Sequence, residues 1–301
     1  MFGHIETLTL RASFACETEG KLPPYLGSTL RGVLGHSMRD FVCPTPDVRC
    51  YVCQIAQDCA YARNFASPGH DAGAVNAYVL YPHVRDKIEW KKGDQCTFEM
   101  TLIGSAVREA GFYVDGLQAM GERGWGAERL RFRLEQISVP ERDALIWSGG
   151  RIWMRNLMPQ PLTMPERRAR TALVRFVTPT RILVRRKLSR RIAFEELIHS
   201  ISRRLTLLSK AYTGQELQWD EDAMLEAARM VQTVEQSWRD VDFERYSMTR
   251  GGKLELPAIE GWARYEGDLT SFTPLLEAGR RLHAGKNSTI GFGRYEVFYD
   301  A

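Results

Sequence analysis

Three groups of residues carry types and spacings that chemistry can use. The run His283-Ala284-Gly285-Lys286-Asn287-Ser288-Thr289-Ile290-Gly291-Phe292-Gly293-Arg294 sets three glycines, an amide, two hydroxyls and two cations between a helix-like and a strand-like segment. Glycine lets backbone amides approach an anion closely, so the loop suits a phosphate, although the same pattern also serves as a plain turn. The second group is Cys43, Cys50, Cys53 and Cys59, four cysteines within seventeen residues. Their x6, x2 and x5 spacings, with a CxxC at the centre, suit tetrahedral thiolate binding of structural zinc; an iron–sulfur cluster and plain or disulfide-bonded cysteines are the alternatives. The third is Thr29, Gly32, His36 and Arg39, which share one face of a helix and leave room for a ligand beside a proton-transferring ring.

Composition bounds what these groups serve. At 301 residues and 44% hydrophobic the chain can bury a sizeable core and has the length of two ordinary domains. It contains no run of eighteen apolar residues, and Met1 to Thr7 lack the basic-then-apolar pattern of a signal peptide, so the expected setting is the cytoplasm, with no membrane partner. The net charge is only +4, yet residues 151–210 hold 15 Lys/Arg against 3 acids. So uneven an excess points to a polyanionic partner, nucleic acid ahead of a merely solvated face. Within it Arg181, Arg185, Arg186, Lys187, Arg190 and Arg191 flank an expected hairpin between the pairs Leu183-Val184 and Ile192-Ala193, a form that suits the phosphates of an RNA stem.

The elements that must position these groups follow from periodicity. A strand over 4–14, a helix with Leu26, Leu30, Val33, Leu34, Met38 and Phe41 as its apolar stripe, a loose connection over 61–71, strands over 77–81 and 96–103, a helix over 107–120, the glycine turn Gly121–Gly126 and a strand over 130–137 make up the first half. The second half reads as a strand over 172–177, helices over 194–212 and 220–238, strands over 241–248 and 258–265, a helix over 272–282, the opening glycine loop and a strand over 295–299. Both halves read β-α-β-β-α-β, which predicts an α+β protein of two tandem ferredoxin-like domains with a Cys-rich insertion after the first helix. The expected boundaries are 1–140 and 169–301, with a proline-rich connector over 141–168. Cys16 and Cys96 sit in strand-like surroundings and read as buried hydrophobes. His4, His70, His83 and His199 lack neighbours that suggest a task.

Leu22-Pro23-Pro24-Tyr25-Leu26-Gly27 leading to Leu30-Arg31-Gly32-Val33-Leu34-Gly35, the cysteine cluster ending in Cys59-Ala60-Tyr61, Phe176 to Arg181, Arg203-Arg204-Leu205 before Tyr212-Thr213-Gly214, and the C-terminal HxGK followed by GFGRY occur in a telling order. In that order the chain resembles the CRISPR repeat-processing endoribonucleases of the repeat-associated protein superfamily. The resemblance implies metal-independent cleavage of CRISPR precursor RNA within its repeats, leaving a 2′,3′-cyclic phosphate and a 5′-hydroxyl. It implies His36 as proton-transfer group and Arg39 as a stabiliser of the phosphorane, with Arg31 a further candidate for the phosphate. RNA contacts are expected from the 181–191 cations and from His283, Lys286, Asn287 and Ser288, with His283 alternatively shaping its loop or transferring a proton. Tyr51 is a remoter candidate for the scissile site. The alternative class is a non-catalytic RNA-binding subunit of a CRISPR ribonucleoprotein, and other subunits of such a complex are possible partners.

Overall fold

A computed structural model describes residues 2–66, 75–247 and 252–300, the side chains of 245–247 excepted. The chain divides into two compact units: His4–Pro161 with Ala211–Gly214, and Met1–Gly3 with Leu162–Lys210 and Gln215–Ala301.

The first unit contains β1 (Glu6–Cys16), α1 (Gly27–Val42), β2 (Tyr78–Pro82), β3 (Gln95–Ile103), α2 (Ala110–Ala119) and β4 (Phe132–Val139). Its sheet runs β2-β3-β1-β4 with every pair antiparallel. In β1 the alternation drives Leu8, Leu10, Ala12, Phe14 and Cys16 into the core shared with Leu30, Leu34 and Met38 of α1 and with Val114 and Leu117 of α2. Fully burying each large apolar side chain is worth about 1.5–3 kcal/mol. The two helices approach closely because a Cβ on Gly116 would run into Met38 Cγ. Cys16 and Cys96 are buried, as their surroundings suggest, and burial pushes the Cys96 thiol up to about 12.

The expected connector is not one. Residues 144–161 extend the first sheet with β5 (Ala144–Ser148), β6 (Arg151–Ile152) and β7 (Gln160–Pro161), the last pairing with β1. Short apolar runs between prolines suggested a linker, but Ile146 is wholly buried and gives β5 its place on β4. The expected helix over 107–120 is split, a single turn at Ser105–Arg108 preceding α2. The connection over 61–71 is ordered in its described part, where Phe65 is buried and stacks on Tyr78 at 5.0 Å. His70 lies outside the described residues.

The second unit contains β8 (Thr171–Phe176), β9 (Leu183–Val184), β10 (Lys187–Leu188), α3 (Phe194–Thr213, its final turn assigned with the first unit), α4 (Glu221–Arg229), β11 (Gln232–Val241), β12 (Ala258–Glu266), α5 (Thr273–Leu282) and β13 (Tyr295–Asp300). Its sheet runs β11-β12-β8-β13, again antiparallel, so both units share one strand order by position in the chain. Leu197, Ile198, Ile201, Leu205 and Leu208 form the buried stripe of α3. Phe2, at the other end of the chain, is buried here with its ring 5.9 Å from Trp219.

One element differs in kind. The helix expected over 220–238 stops at Arg229, and residues 232–241 form β11 on β12. Asp220 caps α4 by accepting from the Ala223 amide at 2.9 Å, as its acidic start predicts. The remainder is an edge strand polar on both faces, where ladder hydrogen bonds override the local pattern. The strand expected over 241–248 is Glu244–Ser247, paired with Gly252–Glu255; Met248 lies outside the described residues.

Candidate functional site

In the first unit His36 is exposed on α1, and Gly32, one turn earlier, has open space where a Cβ would stand. Asp40 lies one turn after His36 on the same face and is ion-paired with Arg123, which brings the first glycine loop alongside the histidine. Partial desolvation lowers the His36 pKa, and the charges of Arg123, Arg39 and Arg129 lower it further. The ring is therefore neutral at pH 7, with lone-pair capacity to accept a proton. The loop that carries Arg123 and Arg129 is pinned by Trp125, which is buried, stacks on Phe132 at 4.2 Å and donates its indole N–H to Met120 O at 3.0 Å. Arg129 takes the left-handed backbone region at φ 57°, packed against Gly124 where no Cβ would fit.

The two arginines expected beside His36 do other work. Arg39 donates to Pro46 O at 2.7 Å and Val48 O at 3.0 Å, bracing the cysteine loop rather than facing a phosphate. Arg31 donates to Tyr78 Oη at 3.1 Å and lies over the Phe65 ring at 5.4 Å, which ties α1 to its sheet. Arg123 and Arg129 were missed because Gly121–Gly126 reads as a turn only. The signal was the internal repeat, since the corresponding C-terminal loop also carries a cation, Lys286. His83, set aside in the sequence, has partners too: its Nε2 lies 3.3 Å from Glu99 Oε1, which also accepts from Arg11 at 2.7 Å. Burial alone would raise Glu99, but these hydrogen bonds outweigh it and hold its pKa at about 2.

The four cysteines lie along one partly exposed loop. Burial raises the Cys50 pKa, and the thiols of Cys59, Cys43 and Cys53 add to that, so all three lie within its electrostatic reach. At Cys43 burial is the largest single influence and raises the pKa, but hydrogen bonds from Arg39 and Thr45 together with the Arg39 charge outweigh it, and the pKa falls. Among the described residues, however, no group of three or more His, Cys, Asp or Glu converges closely enough to hold a metal ion. The donor chemistry fits a thiolate site; the present spacing of the thiols does not. Tyr51 is exposed and accepts from Arg49 at 3.0 Å.

In the second unit the C-terminal loop differs from the phosphate cradle its glycines suggest. The amides of Gly285, Lys286, Ile290, Gly291, Phe292 and Gly293 all donate within the protein, so they are not aimed at a ligand. His283 is 1% exposed, with Nδ1 3.1 Å from Phe292 O; burial, then Arg294 and Arg204, lower its pKa far below the ordinary value. The neutral buried ring shapes the loop, and neither His283 nor Ser288, also buried, is presented at the surface. Asn287 accepts from Arg181 at 3.0 Å, and Arg181 also donates to Pro257 O at 2.8 Å, so both serve as internal braces. Lys286 stays exposed; its pKa is lowered by desolvation and by Arg203, Arg204 and Arg181, which marks a concentrated positive field.

The basic hairpin closes earlier than expected, Leu183-Val184 pairing with Lys187-Leu188. Arg185 and Arg186 are its two turn residues, both exposed and both at positive φ, 48° and 67°. Turns of this geometry normally use Asn or Gly, and two arginines here hold strain in exchange for projecting charge. Replacing both with glycine is expected to stabilise the fold by up to about 1 kcal/mol in thermal denaturation and to weaken binding of structured RNA about tenfold in a filter assay at fixed salt. Arg190 pairs with Asp240, and Arg191 is exposed.

These features define a class: an α+β protein with two sheet-containing units, an exposed neutral histidine among arginines, and a separate cationic loop and hairpin. Residues 5–161 match the family model for the AF_1859 N-terminal domain, and residues 174–295 match that described as CRISPR-associated endoribonuclease Cas6. An uncharacterized protein of Archaeoglobus fulgidus is 25% identical over 284 residues, 92% of each chain. Among solved structures, a Cas6 product complex is similar over 97% of this chain and 100% of that one, with 15% identity and a TM-score of 0.59. A partial Cas6-RT-Cas1–Cas2 complex gives 10% identity and a TM-score of 0.61 over 98% of this chain and 46% of that one. By its first half the chain belongs to the family defined by the AF_1859 N-terminal domain, and its second half matches the CRISPR-associated endoribonuclease Cas6 family. Among the described residues no helix is long and apolar enough to cross a membrane.

Proposed function

We propose that this chain is a metal-independent endoribonuclease that cuts CRISPR precursor RNA within its repeats to give mature crRNA, its two units serving as tandem ferredoxin-like domains. The ribose 2′-oxygen attacks the adjacent phosphorus, the P–O5′ bond breaks, and the products carry a 2′,3′-cyclic phosphate and a 5′-hydroxyl. His36 takes the 2′-proton, water supplies a proton to the leaving 5′-oxygen, and Arg123 and Arg129 face the charge that grows on the phosphorane oxygens. The observation that carries this reading is the neutral, exposed His36 held beside Arg123 through Asp40. Lys286 and the exposed hairpin cations Arg185, Arg186 and Lys187 bind the RNA phosphates. Incubation with labelled repeat RNA in excess chelator tests the reading: one specific cut with a cyclic phosphate end supports it, and binding without products leaves the non-catalytic subunit.

The pH dependence has a definite sign. The base must be unprotonated, so kcat/KM rises with pH through the His36 pKa and levels off above it. With that pKa lowered, the acid limb lies below the ordinary histidine value. Arg123→Gln removes one lowering charge, so its limb is expected at higher pH, with the plateau reduced about 10²-fold. A pH–rate profile of both proteins checks it.

Cys43, Cys50, Cys53 and Cys59 are the proposed ligands of a structural zinc, which would have to draw together thiols that do not converge in the present structure and would take no part in cleavage. About one zinc per chain by elemental analysis, lost in Cys53→Ser, is the expected result. CRISPR repeat RNA is the partner proposed here, and similarity to a Cas6-RT-Cas1–Cas2 complex supports assembly with further CRISPR subunits.

A further inference from the structure

The second unit holds a cavity of ≈ 450 Å³ at the edge of its sheet, lined by Arg190, Arg191, Gln236, Trp238, Arg239, Asp240 and Ile259. Period two sets Gln236, Trp238 and Asp240 on one face of β11, and the register places Trp238 opposite Gly261 and Asp240 opposite Ile259. The indole lies against bare backbone: a Cβ on Gly261 would stand 2.9 Å from Trp238 Cε3. Phe176 packs beside it at 5.9 Å between ring centroids, tilted by 46°. The indole N–H donates to Gln236 Oε1 at 2.8 Å, which fixes the amide and leaves its NH₂ group to donate. Arg190 is paired with Asp240 across the cavity, whereas Arg191 makes no ion pair among the described residues.

An aromatic plane half open to solvent, an oriented amide, a carboxylate and two guanidinium groups together match one ligand chemistry. A nucleobase stacks on the indole, its edge meets the Gln236 amide and the Asp240 carboxylate, and its phosphate meets Arg191. The volume falls within the range of small-ligand sites. We propose that this cavity binds a single unpaired nucleotide of the RNA, outside the stem held by the basic hairpin.

The proposal rests on the reading of the chain as an RNA-binding protein, but its test reads affinity and not cleavage. A chain that binds repeat RNA without cutting it therefore overturns the enzymatic reading and leaves this one standing. Repeat RNA carrying 2-aminopurine at each unpaired position in turn is titrated into full-length protein. Quenching at one position is expected, with Kd raised about tenfold and the quench lost in Trp238→Ala, and both largely retained in Trp238→Phe. Arg191→Ala, at an exposed position that leaves the sheet intact, is expected to raise Kd and to lower the salt dependence by about one phosphate contact. Unchanged Kd and quench in Trp238→Ala overturn the proposal; if that variant does not fold, unchanged Kd in both Arg191→Ala and Gln236→Ala does so. AMP binding that requires Trp238, with RNA affinity indifferent to it, overturns the assignment to RNA and leaves a free-nucleotide site.

Discussion

His36→Ala is expected to lower the single-turnover rate of repeat cleavage by about 10²–10⁴-fold while RNA affinity changes by less than about threefold. The split between rate and affinity follows from the surroundings. His36 is one exposed ring whose pKa is lowered by desolvation and by Arg123, Arg39 and Arg129, so at neutral pH it carries no charge for a ground-state phosphate to bind. What it offers is a lone pair where a 2′-hydroxyl must lose its proton. Removing the ring leaves Arg123 on Asp40 and the Trp125-pinned loop in place, because these contacts run through side chains other than the imidazole. Cleavage undiminished in His36→Ala, measured under single-turnover conditions, would remove this residue from the mechanism while leaving the family assignment untouched.

Gly293→Ala is expected to destabilise the protein by about 3–5 kcal/mol, the largest stability effect anticipated for a methyl group anywhere in the C-terminal loop. Gly293 has φ +79°, and a Cβ there would collide with the carbonyl oxygen of Ala284. Two terms therefore add: a left-handed backbone that an L-residue adopts at a cost, and a clash with main chain that no rotamer can relieve. The contact is also the loop's closure, since the Ala284 amide donates to Gly293 O at 2.9 Å and the Gly293 amide to Pro179 O at 2.9 Å. Neighbouring His283, held by Phe292 O, would lose its register as well. Chemical denaturation followed by circular dichroism measures the change; a loss below about 1 kcal/mol would mean that the loop is softer than its hydrogen bonds imply.

Much of the framework can be read from side-chain alternation and spacing. The stripe Leu26, Leu30, Leu34 and Met38 gives α1, and Leu8 to Cys16 gives β1, because each buries one face against a common core. β11 was not legible: Glu235, Arg239 and Asp240 leave neither face apolar, and what makes the segment a strand is its ladder to β12, a long-range property. β5 was obscured for a related reason, since Pro140 and the prolines from Pro159 onward mimic a linker. At the site, His36 could be chosen by its helical face, but the partners of Arg39 and Arg31 could not. Those arginines are spent on carbonyls 7 and 9 residues away and on a tyrosine 47 residues away. Arg123 depends on Asp40, a pairing that spacing along the chain does not reveal. Likewise, glycine content marked the C-terminal loop without revealing that its amides already donate to Arg181, Pro179 and neighbouring residues.

The exchange of short segments between the two units bears on how the chain can be made. Ala211–Gly214 completes the first unit, where Tyr212 Oη donates to Val75 O at 2.7 Å and the Tyr212 backbone fills the space left by Gly104. On a ribosome, the first unit therefore waits about 50 residues beyond Pro161 for its last piece, a delay of several seconds at ordinary elongation rates. The second unit waits the other way, holding Phe2 from the start of synthesis until Trp219 emerges. Cut between Pro161 and Leu162, neither half is whole, and the halves should regain solubility only when co-expressed.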